Sequence, residues 1–190
     1  MNARVDKTDD GLLKIVDYKS GKQAFSYKKM YNGLALQLPV YASAVREKFT
    51  DGKIAAMYYL KVGVPKIDPF GPDGATDDEY QKKIDGFYKR DGVFVNEDGL
   101  PFRLDNSGKL FKRIAADRLL DQKQMEGFID FAAQKITEVG SEITNGNADI
   151  DPICDYDIKS CEYCDFSHIC GYTGEGKKLA PLPDNFLKEE

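Results

Sequence analysis

The segment Leu12–Lys19 constrains this chain most, because it reads LLKIVDYK, an apolar β-forming run that closes on an acid and an amine. Branched and aromatic side chains favour a strand, and Asp9-Asp10-Gly11 before it signals a turn. We therefore expect residues 4–8 to pair with the segment as a β-hairpin. Residues i and i+2 of a strand project from one face, so Asp17 and Lys19 are expected to project together where the strand ends.

The rest of the pattern alternates helix and strand. From about residue 31 to 49 apolar residues recur at helical spacing, and Pro39 inside this stretch predicts a kink or a late start. Residues 53–62, KIAAMYYLKV, predict a second central strand. Later segments predict, in order, a loop at 63–75, a polar helix at 77–90, a short strand at 93–95, an irregular stretch at 96–109, a long helix at 122–143 whose apolar stripe is core, and a frayed tail. This order predicts an α/β or α+β domain.

The charge balance limits the partners that can be expected. The chain has 27 basic and 32 acidic residues, a net charge of −5, whereas a protein that coats nucleic acid is usually basic. Any DNA contact is therefore expected to be local or metal-assisted. No run of about 18 apolar residues occurs, and the first residues carry no apolar segment typical of a signal peptide, so neither a membrane span nor a secretory leader is predicted.

Four cysteines cluster towards the C-terminal end: Cys154, Cys161, Cys164 and Cys170. A disulfide framework would join distant segments, so a local metal or iron–sulfur site in a reducing cytosol is the better interpretation. Tetrahedral zinc and a [4Fe–4S] cluster both suit four thiolates, and the spacing leaves both open, along with unligated thiols. We interpret His168 as a surface residue rather than a ligand.

An acid and an amine at the end of a strand offer hydrolytic chemistry. The carboxylate of Asp17 can hold Mg²⁺, and the ammonium of Lys19 can stabilise charge on a phosphoryl group or orient a water. By itself such a pair is more often a solvated ion pair. Gln37 and Tyr41, four residues apart, share a helix face and could support a metal shell or bind a base or sugar, or could belong to the core stripe.

These motifs occur together in an order that carries a resemblance. IVDYKSGK followed by LALQLPVY resembles the RecB-type branch of the PD-(D/E)XK nuclease superfamily, and within it the AddB family of helicase–nuclease subunits. The match continues through the strand at 53–62, the sequence FYKRDGVFV and the cysteine tail. The resemblance implies a restriction-endonuclease-like α/β fold with a mixed central sheet flanked by helices. It divides the chain into a nuclease core over 1–150, with an insertion at about 63–110, and an iron–sulfur-type tail over 151–190.

The resemblance also implies roles at matching positions. Asp17 corresponds to the metal-binding acid, Lys19 to the catalytic lysine and Gln37 with Tyr41 to a Q-x-x-x-Y element, while the carbonyl of Tyr18 would also reach the Mg²⁺ or Mn²⁺ ion. The implied reaction is metal-assisted hydrolysis of DNA phosphodiester bonds by water, in an exonuclease that processes double-strand breaks for recombinational repair. The implied partners are DNA and an AddA-type helicase–nuclease subunit, in the cytoplasm and away from membranes.

Other side chains near these motifs have two interpretations each. Lys22 and Lys28 are candidates for contacts with DNA phosphates, and a solvated face is the alternative. The aromatic pairs Tyr58-Tyr59 and Phe87-Tyr88 could stack on bases, although core packing is the expected role.

The chain departs from the family pattern at its first strand. The family's essential first acid falls at Ala3. Asp6 is then the second acid, which points elsewhere, unless a one-residue bulge makes Asp6 the ligand. The resemblance therefore implies a chain that begins inside the family's domain and is catalytically incomplete.

A second departure concerns the cysteines. Cys161, Cys164 and Cys170 match three ligands of the family's iron–sulfur cluster, whose fourth cysteine lies far upstream. The resemblance therefore implies a [4Fe–4S] cluster that pins the tail to the domain in the intact protein, with a ligand missing from this chain. Cys154 is then a spare or a substitute.

Two other functions stay open. The chain could be a non-catalytic, metal-stapled module that holds DNA or a partner, or a free-standing CRISPR-associated RecB-like nuclease. The sequence FYKRDGVFV favours the AddB family over the CRISPR alternative. No Walker A motif occurs in the sequence, so the resemblance places a helicase motor elsewhere.

Overall fold

The central sheet of the computed structural model, which describes residues 3–21, 24–65, 76–96, 114–155, 158–162 and 164–187, is mixed. Its five strands are adjacent in chain order: β1 (Ala3–Lys7), β2 (Leu12–Lys19), β3 (Lys53–Lys61), β4 (Asp91–Val95) and β5 (Leu119–Leu120). β1–β2 and β3–β4 are antiparallel, whereas β2–β3 and β4–β5 are parallel. The predicted hairpin and the mixed sheet of the predicted α/β fold are therefore confirmed.

Two helices, α1 (Tyr27–Tyr31) and α2 (Gln37–Lys48), form the crossover between β2 and β3. The stretch predicted as one helix is divided because Gly33 and Ala35 adopt positive φ angles of 79° and 55°. α2 begins only at Gln37, so Pro39 lies in its first turn, where a missing N–H costs no helical hydrogen bond. Of the two effects predicted for Pro39, the late start is the one observed.

The larger core lies between one face of the sheet and helices α2 and α4 (Gln122–Thr144). It joins fully buried side chains of the sheet to those of both helices, among them Leu13, Ile15, Met57, Leu38, Ala42, Met125, Phe128 and Ile129. A smaller cluster on the opposite face holds Val16, Ala56, Tyr58 and Phe94. The sheet therefore presents its more deeply covered face to α2, and this is the face that carries Asp17.

The helix ends follow the expected capping chemistry. Thr76 caps α3 (Asp77–Phe87) and Asp121 caps α4, each in a reciprocal capping box. α3 buries none of its residues, as predicted for a polar helix. The apolar stripe of α4 is core only as far as Ala132, because Ile136, Val139 and Ile143 are exposed. The prediction that the whole stripe is core is therefore wrong for its second half.

The C-terminal segment packs against the domain and is not frayed over the described residues 164–187. It follows a short hairpin of β6 (Cys154–Asp155) and β7 (Ile158–Lys159) and the helical turn α5 (Ser167–Cys170). The side chain of Asn32 donates to the carbonyl of Ala180 and accepts from its amide, at 3.1 and 2.8 Å. Phe186 contacts the aromatic side chains of α1 and α4.

The predicted irregular stretch falls almost entirely outside the described residues, as does most of the predicted loop at 63–75. Over the ranges that are described, no helix is long and apolar enough to cross a bilayer.

Candidate active site

Asp17 is a buried charged residue at the carboxyl end of β2, with 2% of its surface exposed. Alternation along the strand places it on the same face as Leu13 and Ile15, beneath α2. A carboxylate in such a position requires compensation, because burying a charge costs several kcal/mol. The environment of Asp17 therefore indicates a site that is maintained for a purpose other than packing.

Lys19 supplies the compensating charge. Its Nζ lies 2.9 Å from Oδ2 of Asp17, and it donates to Oε1 of Gln37 at 2.5 Å. The Nε2 of Gln37 donates in turn to the hydroxyl of Tyr41 at 2.7 Å. The ammonium also lies 5.5 Å from the centre of the Tyr59 ring. The structure thus brings the four predicted catalytic residues into one chain of contacts.

Local structure explains why these groups meet. Asp17 and Lys19 share a strand face, and α2 begins above that face, so Gln37 in its first turn reaches the end of β2. Tyr41 follows one helical turn later on the same side of α2. The side chains therefore converge because the crossover helix starts where the strand ends.

One oxygen of Asp17 remains available to a cation. Oδ2 is buried and accepts no hydrogen bond of good geometry, although the ammonium of Lys19 is near. An oxygen ligand of this kind suits Mg²⁺ or Mn²⁺, which is commonly held by one or two carboxylates plus waters and substrate phosphates. The observed donor set therefore fits a divalent metal, with Asp17 as its side-chain ligand. The carbonyl of Tyr18, next to it in β2, stays a predicted second ligand.

Across the sheet, Ala3 lies directly opposite Asp17 in the β1–β2 pairing. Ala3 and Asp6 are three residues apart and point to opposite faces. Asp6 pairs with Arg4 and Lys14 on the far side, and although partial burial acts to raise the pKa of Asp6, these cations outweigh it and lower that pKa. The β1–β2 register is unbroken, so the alternative that a bulge turns Asp6 into the ligand is wrong.

Two residues near the site were not anticipated from the sequence. The carboxylate of Asp91, at the start of β4, accepts from the backbone N–H of Phe25 at 2.9 Å. Arg118 donates to the carbonyl of Phe25 at 2.9 Å and lies 4.4 Å from its ring centre. Together they hold the segment that leads into α1. Their partners are 66 and 93 residues away, so no local pattern could have revealed the contacts.

The four cysteines of the tail lie near one another. The thiol of Cys161 is hydrogen-bonded to Cys154 and is electrostatically coupled to Cys164 and Cys170. Desolvation, followed by these neighbouring thiols, raises the pKa of Cys161. Within the parts of the chain that the structure describes, no three His, Cys, Asp or Glu side chains are already closed to metal-ligand spacing. The thiols are therefore grouped, and all four are free of disulfides.

Comparison with known proteins assigns the chain to a family. The sequence profile of the PD-(D/E)XK nuclease superfamily matches residues 4–171. The chain belongs to this superfamily. The mixed five-stranded sheet with its flanking helices is the PD-(D/E)XK fold, so the predicted fold is confirmed together with the family resemblance.

Curated relatives of this PD-(D/E)XK domain share one description, the B subunit of an ATP-dependent helicase/deoxyribonuclease. The protein of Clostridium botulinum (strain Loch Maree / Type A3) is 31% identical over 207 residues, covering 95% of this chain and 18% of the relative. That of Clostridium perfringens (strain 13 / Type A) is 28% identical over 200 residues, covering 90% and 17%. That of Alkaliphilus metalliredigens (strain QYMF) is 27% identical over 184 residues, covering 88% and 16%. The chain thus spans less than a fifth of the length of these relatives.

The other predicted contacts of the PD-(D/E)XK domain with DNA are placed less directly. Lys28 lies in α1 with its ammonium 3.4 Å from Asp155 of the tail, so it is directed away from the Asp17 network. Lys22 lies outside the described residues. Tyr58 and Tyr59 are buried, as expected for core residues.

The second aromatic pair lies at the end of α3. The Phe87 ring is covered by the ammonium of Lys61 at 4.2 Å, and the hydroxyl of Tyr88 donates to the carbonyl of Gly63 at 2.8 Å. Tyr88 itself is exposed. The pair therefore has partners within the domain, and its contact with bases stays a prediction.

Proposed function

We propose that this chain is the metal-dependent nuclease domain of an AddB-type helicase–deoxyribonuclease protein and that it hydrolyses phosphodiester bonds of DNA. The observation that carries the proposal is the buried carboxylate of Asp17, with one oxygen free of hydrogen bonds, in contact with Lys19. Membership of the PD-(D/E)XK superfamily supports it, as do relatives named for a helicase/deoxyribonuclease.

The residues of the site divide the work between binding and orientation. Asp17, with the Tyr18 carbonyl, would hold Mg²⁺ or Mn²⁺, which when bound would supply a Lewis acid and a water of lowered pKa. The ammonium of Lys19 is positioned to donate to an oxygen of the phosphate undergoing attack. Gln37 fixes that ammonium through its amide oxygen, and Tyr41 fixes the amide of Gln37.

Burial strengthens this arrangement. Asp17 is almost fully covered and the Lys19 side chain is about one quarter exposed, so their charges are weakly screened by water. The amide of Gln37 can turn only at the expense of its two hydrogen bonds. The network therefore holds Lys19 in place before substrate arrives, which lowers the reorganisation that the reaction requires.

The biological setting is proposed from the same relatives. Because they are named as one subunit of a larger enzyme, we propose a partner helicase–nuclease of the AddA type and a complex that acts in the cytoplasm on broken double-stranded DNA. In this setting the domain would be an exonuclease that degrades a strand delivered by the motor. The acidic net charge agrees with a domain to which DNA is delivered rather than one that coats it.

A second candidate is a non-catalytic module, and the position of Ala3 favours it. Ala3 stands opposite Asp17, where a carboxylate would be able to share a cation with it. The two candidates differ in one testable respect, namely whether an acid at position 3 gives a working site.

The experiment measures Mg²⁺-dependent degradation of end-labelled linear single-stranded DNA by the chain and by Ala3→Asp. Val5→Asp is the matched control, because it places an acid on the same face of β1 but two residues further along, opposite Ile15. In the active background, we expect Asp17→Asn to abolish activity and Lys19→Met to lower it by about 10²- to 10³-fold. Lys14→Met is expected to leave activity unchanged, because Lys14 pairs with Asp6 on the far face.

Degradation by the chain or by Ala3→Asp that requires Asp17 and Lys19 supports the nuclease. If neither protein degrades DNA while circular dichroism shows both to be folded, the nuclease proposal fails and the non-catalytic module replaces it. Equal activation by Ala3→Asp and Val5→Asp would remove the geometric argument from the β1–β2 register.

A further inference from the structure

The tail contains a second candidate metal site, built on two short elements. Cys154 lies in β6, and Cys161 and Cys164 follow directly after β7. Cys170 ends the helical turn α5, where its N–H donates to the carbonyl of Phe166 at 2.9 Å. A hairpin, a turn and a helical turn thus present all four thiols within one segment.

Cys154 is held firmly in this segment. Its N–H donates to the carbonyl of Lys177 at 2.9 Å, and the N–H of Lys177 donates to the carbonyl of Pro152 at 2.8 Å. Gly176 closes over the side chain, and a Cβ there would lie 2.7 Å from the Cys154 sulfur. Because Gly176 has a φ of 76° as well, only glycine suits the position. The fold therefore sets the direction of the Cys154 thiol instead of leaving it on a mobile surface.

That direction leads to the other cysteines. The thiols of Cys154 and Cys161 are hydrogen-bonded to each other, and Cys161 is near enough to Cys164 and Cys170 for charge on one to affect the others. The N–H of Cys164 donates to the carbonyl of Cys161 at 3.4 Å, which closes the C-x₂-C turn. His168, between Cys164 and Cys170 in sequence, shows no comparable link to the thiols among the described contacts.

We propose that Cys154 is a metal ligand and that it completes, with Cys161, Cys164 and Cys170, a four-thiolate site contained entirely in this tail. Four thiolates are a complete set for tetrahedral zinc or for a [4Fe–4S] cluster. The site then needs no cysteine from an upstream segment. It closes residues 154–170 into one unit, which is a structural role independent of the Asp17 centre and of DNA cleavage.

The test loads the full chain with metal and measures binding without reference to DNA. In one arm the protein is incubated anaerobically with Fe²⁺ and sulfide, and iron, sulfide and visible absorbance are measured per chain. In the other arm Zn²⁺ is added and its affinity is measured against a chromogenic chelator. We expect one zinc ion or one four-iron cluster per chain, and the arm with stable stoichiometric loading identifies the metal.

Variants separate Cys154 from the alternatives. Cys154→Ser is expected to weaken loading by at least about a hundredfold, as are the Ser variants of the other three cysteines. Gly176→Ala leaves every ligand in place but pushes a methyl group against the Cys154 sulfur, so it is expected to weaken loading as well. The matched control His168→Gln is expected to load as the unmodified chain does.

Three results would overturn the proposal. They are unchanged loading in both Cys154→Ser and Gly176→Ala, loss of loading in His168→Gln, and failure of the unmodified chain to bind either metal. Circular dichroism and urea unfolding of the metal-free proteins show whether each variant is folded. Cys154 lies outside both hydrophobic clusters, so the core is expected to unfold at the same urea concentration in all of them.

Discussion

The contact between Asp17 and Lys19 illustrates what a single ion pair can cost and contribute in this domain. Asp17 is buried, and its ammonium partner is close and only partly covered. Removing one member of such a pair leaves a buried charge without compensation, which costs about 3–5 kcal/mol, whereas replacing both members is much less costly. The pair therefore stabilises the fold mainly relative to its own broken forms.

We predict that Lys19→Met lowers the free energy of unfolding by about 3 kcal/mol in metal-free buffer, because Asp17 loses its ammonium partner. Adding Asp17→Asn to this variant is expected to restore most of the loss. Lys14→Met, which breaks the more exposed pair with Asp6, is the control and is expected to cost at most about 1 kcal/mol. Urea unfolding measures all three, and equal losses for Lys19→Met and Lys14→Met would contradict the prediction.

Tyr27 gives a prediction about pH. Burial raises the pKa of Tyr27, whose hydroxyl donates to the carbonyl of Asp117 at 3.0 Å. The unfolded chain ionises this residue near its ordinary pKa of about 10, while the folded chain keeps the proton. The stability that depends on neutral Tyr27 is therefore complete below about pH 10 and is lost as the pH rises beyond it.

We expect Tyr27→Phe to be less stable than the unmodified chain by about 1 kcal/mol at neutral pH, because the hydrogen bond is lost. Above about pH 10 this difference should shrink and then reverse, since phenylalanine has no proton to lose. Urea unfolding of both proteins at neutral and alkaline pH tests the prediction. A constant difference at all pH values would show that Tyr27 titrates in the same way in both states.

Sequence reasoning was most successful at the residue scale where spacing alone decides geometry. Strand alternation put Asp17 and Lys19 on one face, and helical spacing put Gln37 and Tyr41 together. It left the orientation of Asp6 undecided, because that depends on the register between two strands. Asp91 and Arg118 were missed altogether, because both act on Phe25 from distant parts of the chain.

The strands and helices show the same division at the level of elements. Hydrophobic periodicity predicted each major strand and helix of the described chain. The start of α2 depends on backbone angles at Gly33 and Ala35, and the end of the buried stripe on α4 depends on where the sheet stops. Neither is encoded in the periodicity itself, so the boundaries were less accurate than the elements.

The pairing of β3 with β4 predicts a strict requirement for glycine at position 92. A Cβ at Gly92 would collide with the carbonyl oxygen of Met57 and would lie 2.5 Å from Cα of Tyr58. We expect Gly92→Ala to destabilise the domain by about 3 kcal/mol, since the backbone of β3 must move. Gly86→Ala is the matched control, because a Cβ there meets nothing within 4 Å and alanine favours the helix by up to about 1 kcal/mol. Thermal unfolding of both variants distinguishes these effects.

The first turn of α4 predicts a measurable capping energy. The carboxylate of Asp121 accepts from the N–H of Gln124 at 2.7 Å, and Gln124 reciprocates at 2.9 Å. We expect Asp121→Ala to cost about 1 kcal/mol in urea unfolding. Glu142→Ala, an exposed acid near the other end of α4, is expected to stay within about 0.5 kcal/mol. Equal effects would mean that the capping box adds nothing beyond surface charge.

At the scale of the whole molecule, the C-terminal segment is a component of the core. The ring of Phe186 contacts four aromatic residues from α1 and α4: Tyr27, Tyr31, Phe128 and Phe131. Composition predicted ample aromatic material but could not indicate that part of it arrives from the tail. The frayed tail predicted from its prolines and lysines is wrong for this reason.

We predict that Phe186→Ala lowers the free energy of unfolding by about 2 kcal/mol, less than for a fully buried phenylalanine because part of the ring is exposed. It should also make the segment after Cys170 more sensitive to limited proteolysis. Phe166→Ala is the control, because that ring is exposed in the same tail and its loss is expected to be neutral. Unchanged proteolysis in Phe186→Ala would show that the Asn32–Ala180 contacts suffice to hold the segment.

The contact between Asn32 and Ala180 joins positions 148 residues apart, and this separation governs the order of events during synthesis. The ribosome releases β1, β2 and β3 long before it releases α4, whose Met125, Phe128 and Ile129 cover the larger core. Until then the nascent sheet carries an open apolar face, and Phe186 comes later still. Such a chain closes its core almost entirely after translation of this region, so its yield in the cell depends on protection of that face while it waits.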